Sequence, residues 1–417
     1  MNVTASGKQR ESFWRSNFRS RQSHLPARQF ASERLAKIAK TKGLSLFAGF
    51  AVALVCLVCP LESQAVDPEL KRAVDLAYNT AFDEAEGIMN AYIASHPGDP
   101  MGYVVRGTAR DWKQTVNNLR GKLNDQTLAD YKTANDLAFQ LWNKDQKNID
   151  KMVDLGNTYM YLAKKWLDLG KTSRSGLILK KAKKHMEEAI AMDPNRYDAY
   201  LAIGIFNFYT ANIPSGLQLI ASILGMSGDE AKGLQYLETA ASNPNLLQAD
   251  ALFVLTHAYG KTKGNYARAL TYFDRLQALY PNNPEFPSLK GEYAYRAKQY
   301  EASRQQYQNF FTFCNTRSGG CVQDYLFLAN YFLAAGYIKE QNYPGAKPHV
   351  DKAVELNVDQ YRDRTVNIHL YRGLCLKAEG KTEEAYAEFV KVREGKGLNE
   401  KAFNEAKKAA SEMGKSL

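Results

Sequence analysis

The chain has 417 residues, of which 45% are apolar and 24% charged. That is an ordinary globular composition and excludes wholesale disorder, while 28 Gly and 13 Pro are too few for a collagenous or low-complexity protein. The net charge of +11 points toward nucleic acid only until it is located: residues 1–43 carry ten basic and two acidic side chains, and residues 66–417 carry 45 and 41. A nearly neutral body offers little to a phosphate backbone, so no nucleic-acid partner is expected.

Residues 1–43 read as a basic, disordered leader, and residues 44–65 as the apolar core and cleavage region of a signal peptide. The uncharged run 44–58 is fifteen residues long, short of the roughly 20 that span a bilayer. Ser63 and Ala65 put small residues at −3 and −1 before Val66. The body, 66–417, is expected to be periplasmic or secreted after cleavage. The alternative is a single N-terminal anchor with the body outside the cytoplasm and membrane contact only through 44–58. Val precedes both Cys56 and Cys59, which argues against a lipoprotein signal.

Downstream, three prolines set a register: Pro97, Pro194 and Pro281 each follow an Ala twelve residues earlier (Ala85, Ala182, Ala269) and a bulky residue eight earlier (Met89, Met186, Phe273). A small residue lets two helices approach closely, a bulky one fills the adjoining groove, and Pro turns the chain. Gly264-Asn265-Tyr266-Ala267-Arg268-Ala269-Leu270, the Gly373, Gly380, Ala385 and Phe389 set, and Asn342-Tyr343-Pro344-Gly345-Ala346 repeat the pattern.

In these columns the sequence resembles the tetratricopeptide repeat family over about 69–410. The resemblance implies an all-α, right-handed α-solenoid of antiparallel helix pairs forming a single domain over 66–417, with a concave face that binds partners. Residues 106–147 look helical but lack the columns. Between the helices expected at 197–210 and 230–243, an apolar insert near 212–226 intervenes, read as a short extra helix packed over the solenoid groove or edge, with a membrane-surface or ligand-lining helix as the alternative. The 197–244 stretch is similar to the inclusion-body-clearance type of repeat protein.

Gly-Lys-Thr occurs at 170–172, 260–262 and 380–382. A phosphate loop needs another Gly five residues earlier, and Lys165, Leu255 and Cys375 stand there. All three are read as inter-helix turns with Gly in the left-handed conformation. His185 is read as part of a solvated face with its lysine neighbours. With no metal spacing, nucleophile elbow or catalytic set, the chain is expected to be no enzyme and to take no cofactor. Cys314 and Cys321 bracket a polar loop and form the candidate disulfide, with two reduced thiols as the alternative.

By register, the concave face would include Asp198, Asn207, His257, Asn367 and Lys377, whose mixed charge indicates no peptide class. The expected function is an exported, non-enzymatic scaffold binding a protein or peptide partner in the cell envelope. An accessory small-molecule or lipid-binding protein of a transport system is the alternative, with Phe206, Phe208 and Tyr209 beside the insert.

Overall fold

Short acceptor side chains start many of the helices. Asp67, Asp99, Asn148, Asp229, Asn265 and Asn399 each accept hydrogen bonds from backbone amides of the first turn, and Pro68 and Pro100 occupy the first helical position. The computed structural model describes residues 66–417 except 216–217, 219–220, 223–224, 318–319, 357 and 359–360. The expected leader, signal core and cleavage region therefore lie outside the described residues.

The chain runs α1 (Pro68–Tyr78), α2 (Phe82–Ser95), α3 (Pro100–Val116), α4 (Asn124–Lys144), α5 (Ile149–Asp168), α6 (Thr172–Met192), α7 (Tyr200–Ala211), α8 (Glu230–Ser242) and α9 (Gln248–His257). It continues through α10 (Tyr266–Leu279), α11 (Glu285–Arg296), α12 (Tyr300–Thr316), α13 (Gln323–Lys339), α14 (Tyr343–Leu356), α15 (Arg362–Ala378), α16 (Thr382–Glu394) and α17 (Glu400–Ser411). No strand occurs among the described residues. Each odd helix up to α15 packs antiparallel on the following even one, and successive odd helices other than α9 and α11 touch along an inner layer, which is an α-solenoid of helix pairs.

The repeat columns do the packing expected of them. Ala85, Ala182, Ala269, Met89, Met186 and Phe273 have no exposed surface. Pro97, Pro194 and Pro281 each stand two residues past a helix end, at Ser95, Met192 and Leu279, and are exposed. A second column is written in glycine on the odd helices. A Cβ on Gly107 would meet the Tyr131 ring at 2.5 Å, on Gly156 the Met186 side chain at 2.6 Å, on Gly291 the Tyr307 ring at 2.6 Å and on Gly373 the Phe389 ring at 2.3 Å. These contacts make α3 and α4 an ordinary pair, although residues 106–147 lack the Ala and Pro columns.

In the fourth pair, Gly233 stands where Ala is expected because a Cβ there would lie 2.4 Å from the Phe208 backbone nitrogen. The insert follows α7. Ser215, Gln218, Ala221 and Ser222 are helical, Gly225 is left-handed (φ +62°), and Met226 donates to the Ala221 carbonyl at 2.8 Å, capping that turn. Met226 then rests on Gly176 of α6, so this end of the insert lies against the solenoid. The apolar side chains Leu217, Leu219, Ile220, Ile223 and Leu224 lie outside the described residues.

Candidate partner-binding surface

In a simple solenoid each repeat touches only its neighbours. Here the first pair meets the loop between the fifth and sixth. Asn283 donates to the Tyr78 carbonyl at 2.9 Å, Tyr280 donates to Asp75 at 3.1 Å, and Thr80 donates to the Asn282 carbonyl at 3.3 Å. Tyr78 is fully buried, with ring centroids 4.8 Å from Trp112 and 4.9 Å from Tyr280; Trp112 lies 5.0 Å from Phe253 and 5.9 Å from Phe286. One apolar core therefore runs from Leu70 to Tyr293, and a second from Tyr307 to Ala410.

The inner layer of the first five pairs is also bolted by polar groups. Lys165 has no exposed surface, and its ammonium donates to Asp111 at 2.7 Å and Asn124 at 2.9 Å. Asp111 also receives Lys164 at 3.0 Å and Tyr131 at 3.1 Å. A buried ammonium is tolerated only when paired and hydrogen-bonded in this way. Tyr161 on α5 donates to Asp250 on α9 at 3.0 Å; burial raises the Asp250 carboxyl above its ordinary range despite this donor and Tyr78. These groups tie α5 to α3, α4 and α9.

The inner side of the later pairs differs. Arg296 of α11 is 42% exposed and reaches Glu292 through two bonds, at 2.6 and 2.8 Å. Arg364 of α15 lies over the rings of Tyr361 (5.0 Å), Tyr331 (5.7 Å) and Phe332 (5.7 Å), and Arg296 lies 5.9 Å from the same Phe332 ring. Tyr295 and Tyr331 are half-buried beside them. Asn367 donates to the Tyr331 hydroxyl at 3.1 Å and accepts from Asn399 at 3.0 Å. Burial opposes ionisation of Glu292, yet Arg296, Arg364 and Lys261 lower its carboxyl to about 2, so it stays charged.

The five side chains expected on the concave face do not form one patch. Asp198 pairs with Arg196 at 3.2 Å, an arginine that also holds Asp150. Asn207 is 7% exposed and donates back to the Ile203 carbonyl of its own helix at 2.9 Å. His257 is 3% exposed, bonded to Thr256 and the Phe253 carbonyl. Asn367 belongs to the Arg364 patch, and Lys377 pairs with Glu412. Position in the register alone missed Arg296, Tyr331 and Arg364. Their signal was the recurrence of Arg and aromatics at the inner positions of α11, α13 and α15.

Two motif readings change. Gly170 and Gly380 are left-handed turn residues (φ +75° and +77°), but Gly260 lies inside the wide helical turn Ala258–Thr262 continuing α9, against the Tyr293 ring, and the left-handed residue there is Gly264 (φ +66°). His185 is not on a solvated face: it is 7% exposed, 4.9 Å from Trp142 and 6.0 Å from Tyr159, and burial lowers its pKa. Cys314 and Cys321 are disulfide-bonded, with Cα atoms 5.1 Å apart, and Cys375 is a buried thiol pushed up to about 11 by that burial. Phe206 and Phe208 are core residues, and Tyr209 is half-buried. Among the described residues no cluster of three or more His, Cys, Asp or Glu side chains could hold a metal ion, and no helix is long and apolar enough to cross a membrane.

Residues 158–308 match the family model described as Iml2/Tetratricopeptide repeat protein 39, a span that contains 197–244. No curated protein matches the chain. Among solved structures, human IFIT1, seen as a dimer with PPP-AAAA, is 16% identical, covering 84% of this chain and 87% of that one with a TM-score of 0.39. PilF of Pseudomonas aeruginosa is 14% identical over 62% of this chain and 98% of its own, with a TM-score of 0.39. Cut9–Hcn1 of APC/C is 12% identical over 79% and 73%, with a TM-score of 0.38. At such identities and scores these neighbours carry no functional argument. The matched model, the repeat columns and the paired helices make the chain a tetratricopeptide-repeat protein with an Iml2-type segment.

Proposed function

We propose that the chain is an exported scaffold that binds a protein or peptide partner in the cell envelope through the inner side of its later repeats, and that it is not an enzyme. A helix-pair array is a protein-interaction architecture, and one observation supports this choice of surface: the first pair closes on the 280–283 loop, while Arg296, Arg364, Tyr295 and Tyr331 are not fully buried. Export is supported by the basic leader, the apolar run 44–58 and the small residues before Val66. A Cys314–Cys321 disulfide suits an oxidising compartment.

The test places a benzophenone amino acid at Tyr331 in the full chain in its native cells. Irradiation is expected to give one recurring cross-linked partner in the envelope fraction. A chain found reduced in the cytoplasm, or one that cross-links nothing, would remove this reading.

A further inference from the structure

We infer that the outer face of α4 and α6 docks on an anionic lipid surface, lying on the membrane without crossing it. The inference goes beyond the scaffold reading, because it uses the outer helices and not the inner side proposed for the partner.

The two helices lie side by side over α5. Lys132 of α4 and Arg174 of α6 both approach the Trp166 ring of α5, at 5.6 and 3.9 Å from its centroid. Further along, Trp142 of α4 meets His185 of α6 at 4.9 Å. Two large apolar side chains stand out on these helices, Phe139 at 45% exposure and Leu177 at 49%. Arg174, Leu177, Lys181 and Lys184 recur at three- and four-residue spacing, so Leu177 shares one stripe of α6 with three cations.

The charge there is one-sided. Residues 171–186 hold six Lys and Arg and no Asp or Glu, in a body whose 45 basic and 41 acidic side chains nearly cancel. Lys183 and Lys184 reach Glu187 and Glu188 one turn on, at 2.7 and 3.8 Å. Lys132, Arg174 and Lys181 are exposed and make no ion pair among the described residues; their neighbours are the rings of Trp166 and Tyr159. On α4, Asp136 is the single acid from 132 to 142.

The insert adds the second ingredient. Residues 212–228 contain no charged side chain. Its end lies along the adjoining stripe of α6, with Met226 on Gly176 and a Cβ on Gly225 only 2.9 Å from the Lys180 Nζ. An uncharged segment laid against a lysine-rich helix with exposed Leu and Phe is the combination an interfacial surface needs. Apolar groups enter the headgroup region while Lys and Arg meet the lipid phosphates. A soluble polyanion would engage the cations alone and leave Phe139, Leu177 and the uncharged segment without a role.

The experiment puts an environment-sensitive fluorescent amino acid in place of Leu177 in the full chain and, as a control, in place of Leu398, which is equally exposed but lies in the last loop. Comparing the two positions separates docking of this face from any attachment through residues 44–58. Vesicles of equal parts phosphatidylglycerol and phosphatidylcholine are expected to shift the emission at 177 to the blue and leave 398 unmoved. Phosphatidylcholine alone should do much less, and added salt should weaken the response. The triple variant Lys132→Gln, Arg174→Gln, Lys181→Gln should raise the lipid needed for half the shift at least tenfold. Circular dichroism and melting of that variant check that the fold is kept. No shift at 177, an equal shift at 398, or an unchanged lipid requirement in the triple variant would overturn the inference. So would the same shift produced by inorganic polyphosphate without lipid. None of these outcomes bears on cross-linking at Tyr331, so the scaffold reading stands or falls separately.

Discussion

The side-chain amide of Asn283 donates to the main-chain carbonyl of Tyr78 across 205 residues, at 2.9 Å. Asn283 itself has no exposed surface, and its Oδ1 accepts from the Glu285 amide at 3.0 Å, capping the approach to α11. One amide thus holds both the end of α1 and the start of α11. The coil closes through two residues with no exposed surface.

Removing that amide leaves a buried carbonyl and a buried N–H without partners. Asn283→Ala is therefore expected to cost about 1–3 kcal/mol. Asn282→Ala, whose exposed bonds to Asn79 and Thr80 are made by its main chain and are kept, should cost less than about 0.5 kcal/mol. Urea unfolding of both variants checks the contrast, and small-angle scattering checks whether the first one expands. Equal midpoints for the two would show that the closure is held by the aromatic contacts alone.

A second loop, between α12 and α13, carries the disulfide. Arg317, between Cys314 and Cys321, donates to Thr80 at 3.2 Å, so the same loop touches the α1–α2 turn. Cross-linking residues seven apart restrains a short loop in the unfolded chain, worth about 2 kcal/mol in the loop-entropy account. Replacing both cysteines by serine should lower stability by about that amount, and adding reductant to the wild type should reproduce the loss without affecting the double variant. A reductant effect of the same size on both proteins would contradict this.

How much of this was legible beforehand follows the range of the interactions. The Ala, bulky and Pro columns were readable because they act within one pair, over twelve residues. The second pair escaped those columns because its close approach is made by Gly107 on Tyr131, and its charge bolt needs Asp111 and Lys165, far apart in sequence. The Tyr78–Asn283 closure was not readable at all. It depends on small rotations between pairs summed over most of the array, which no local pattern encodes. His185 misled for a related reason: its lysine neighbours are solvated, but Trp142 and Tyr159 from the preceding helices cover its ring.

Glycine in the inner column is required by space, not by backbone conformation. Gly291→Ala would press a methyl within 2.6–2.8 Å of the Tyr307 ring, whose buried position gives it nowhere to move. A cost of about 1–3 kcal/mol is expected. Gly87, inside α2, has nothing within 4 Å of its would-be Cβ. Gly87→Ala should instead stabilise by about 0.5–1 kcal/mol, through helix propensity and the unfolded chain. Thermal melts of the pair distinguish the two sites; destabilisation of both would mean that the column argument is wrong.

Asp154, on α5, supplies a pH signature. Burial, then the neighbouring Asp99 and Asp198, with Asp150 adding to them, pushes its carboxyl up to about 8 against the pull of Arg196. A raised acid is protonated in the folded chain and ionised in the unfolded one between about pH 4 and pH 8. The folded state then binds the extra proton, so this group makes stability fall as pH rises through that window and level off above it. Asp154→Asn removes the titration. It should match the wild type near pH 4 and exceed it by on the order of 2 kcal/mol at pH 8, a figure reduced from the full shift for solvent screening. Urea midpoints measured from pH 4 to pH 8 decide the matter: parallel profiles for the two proteins would show that Asp154 is ionised in the folded chain throughout.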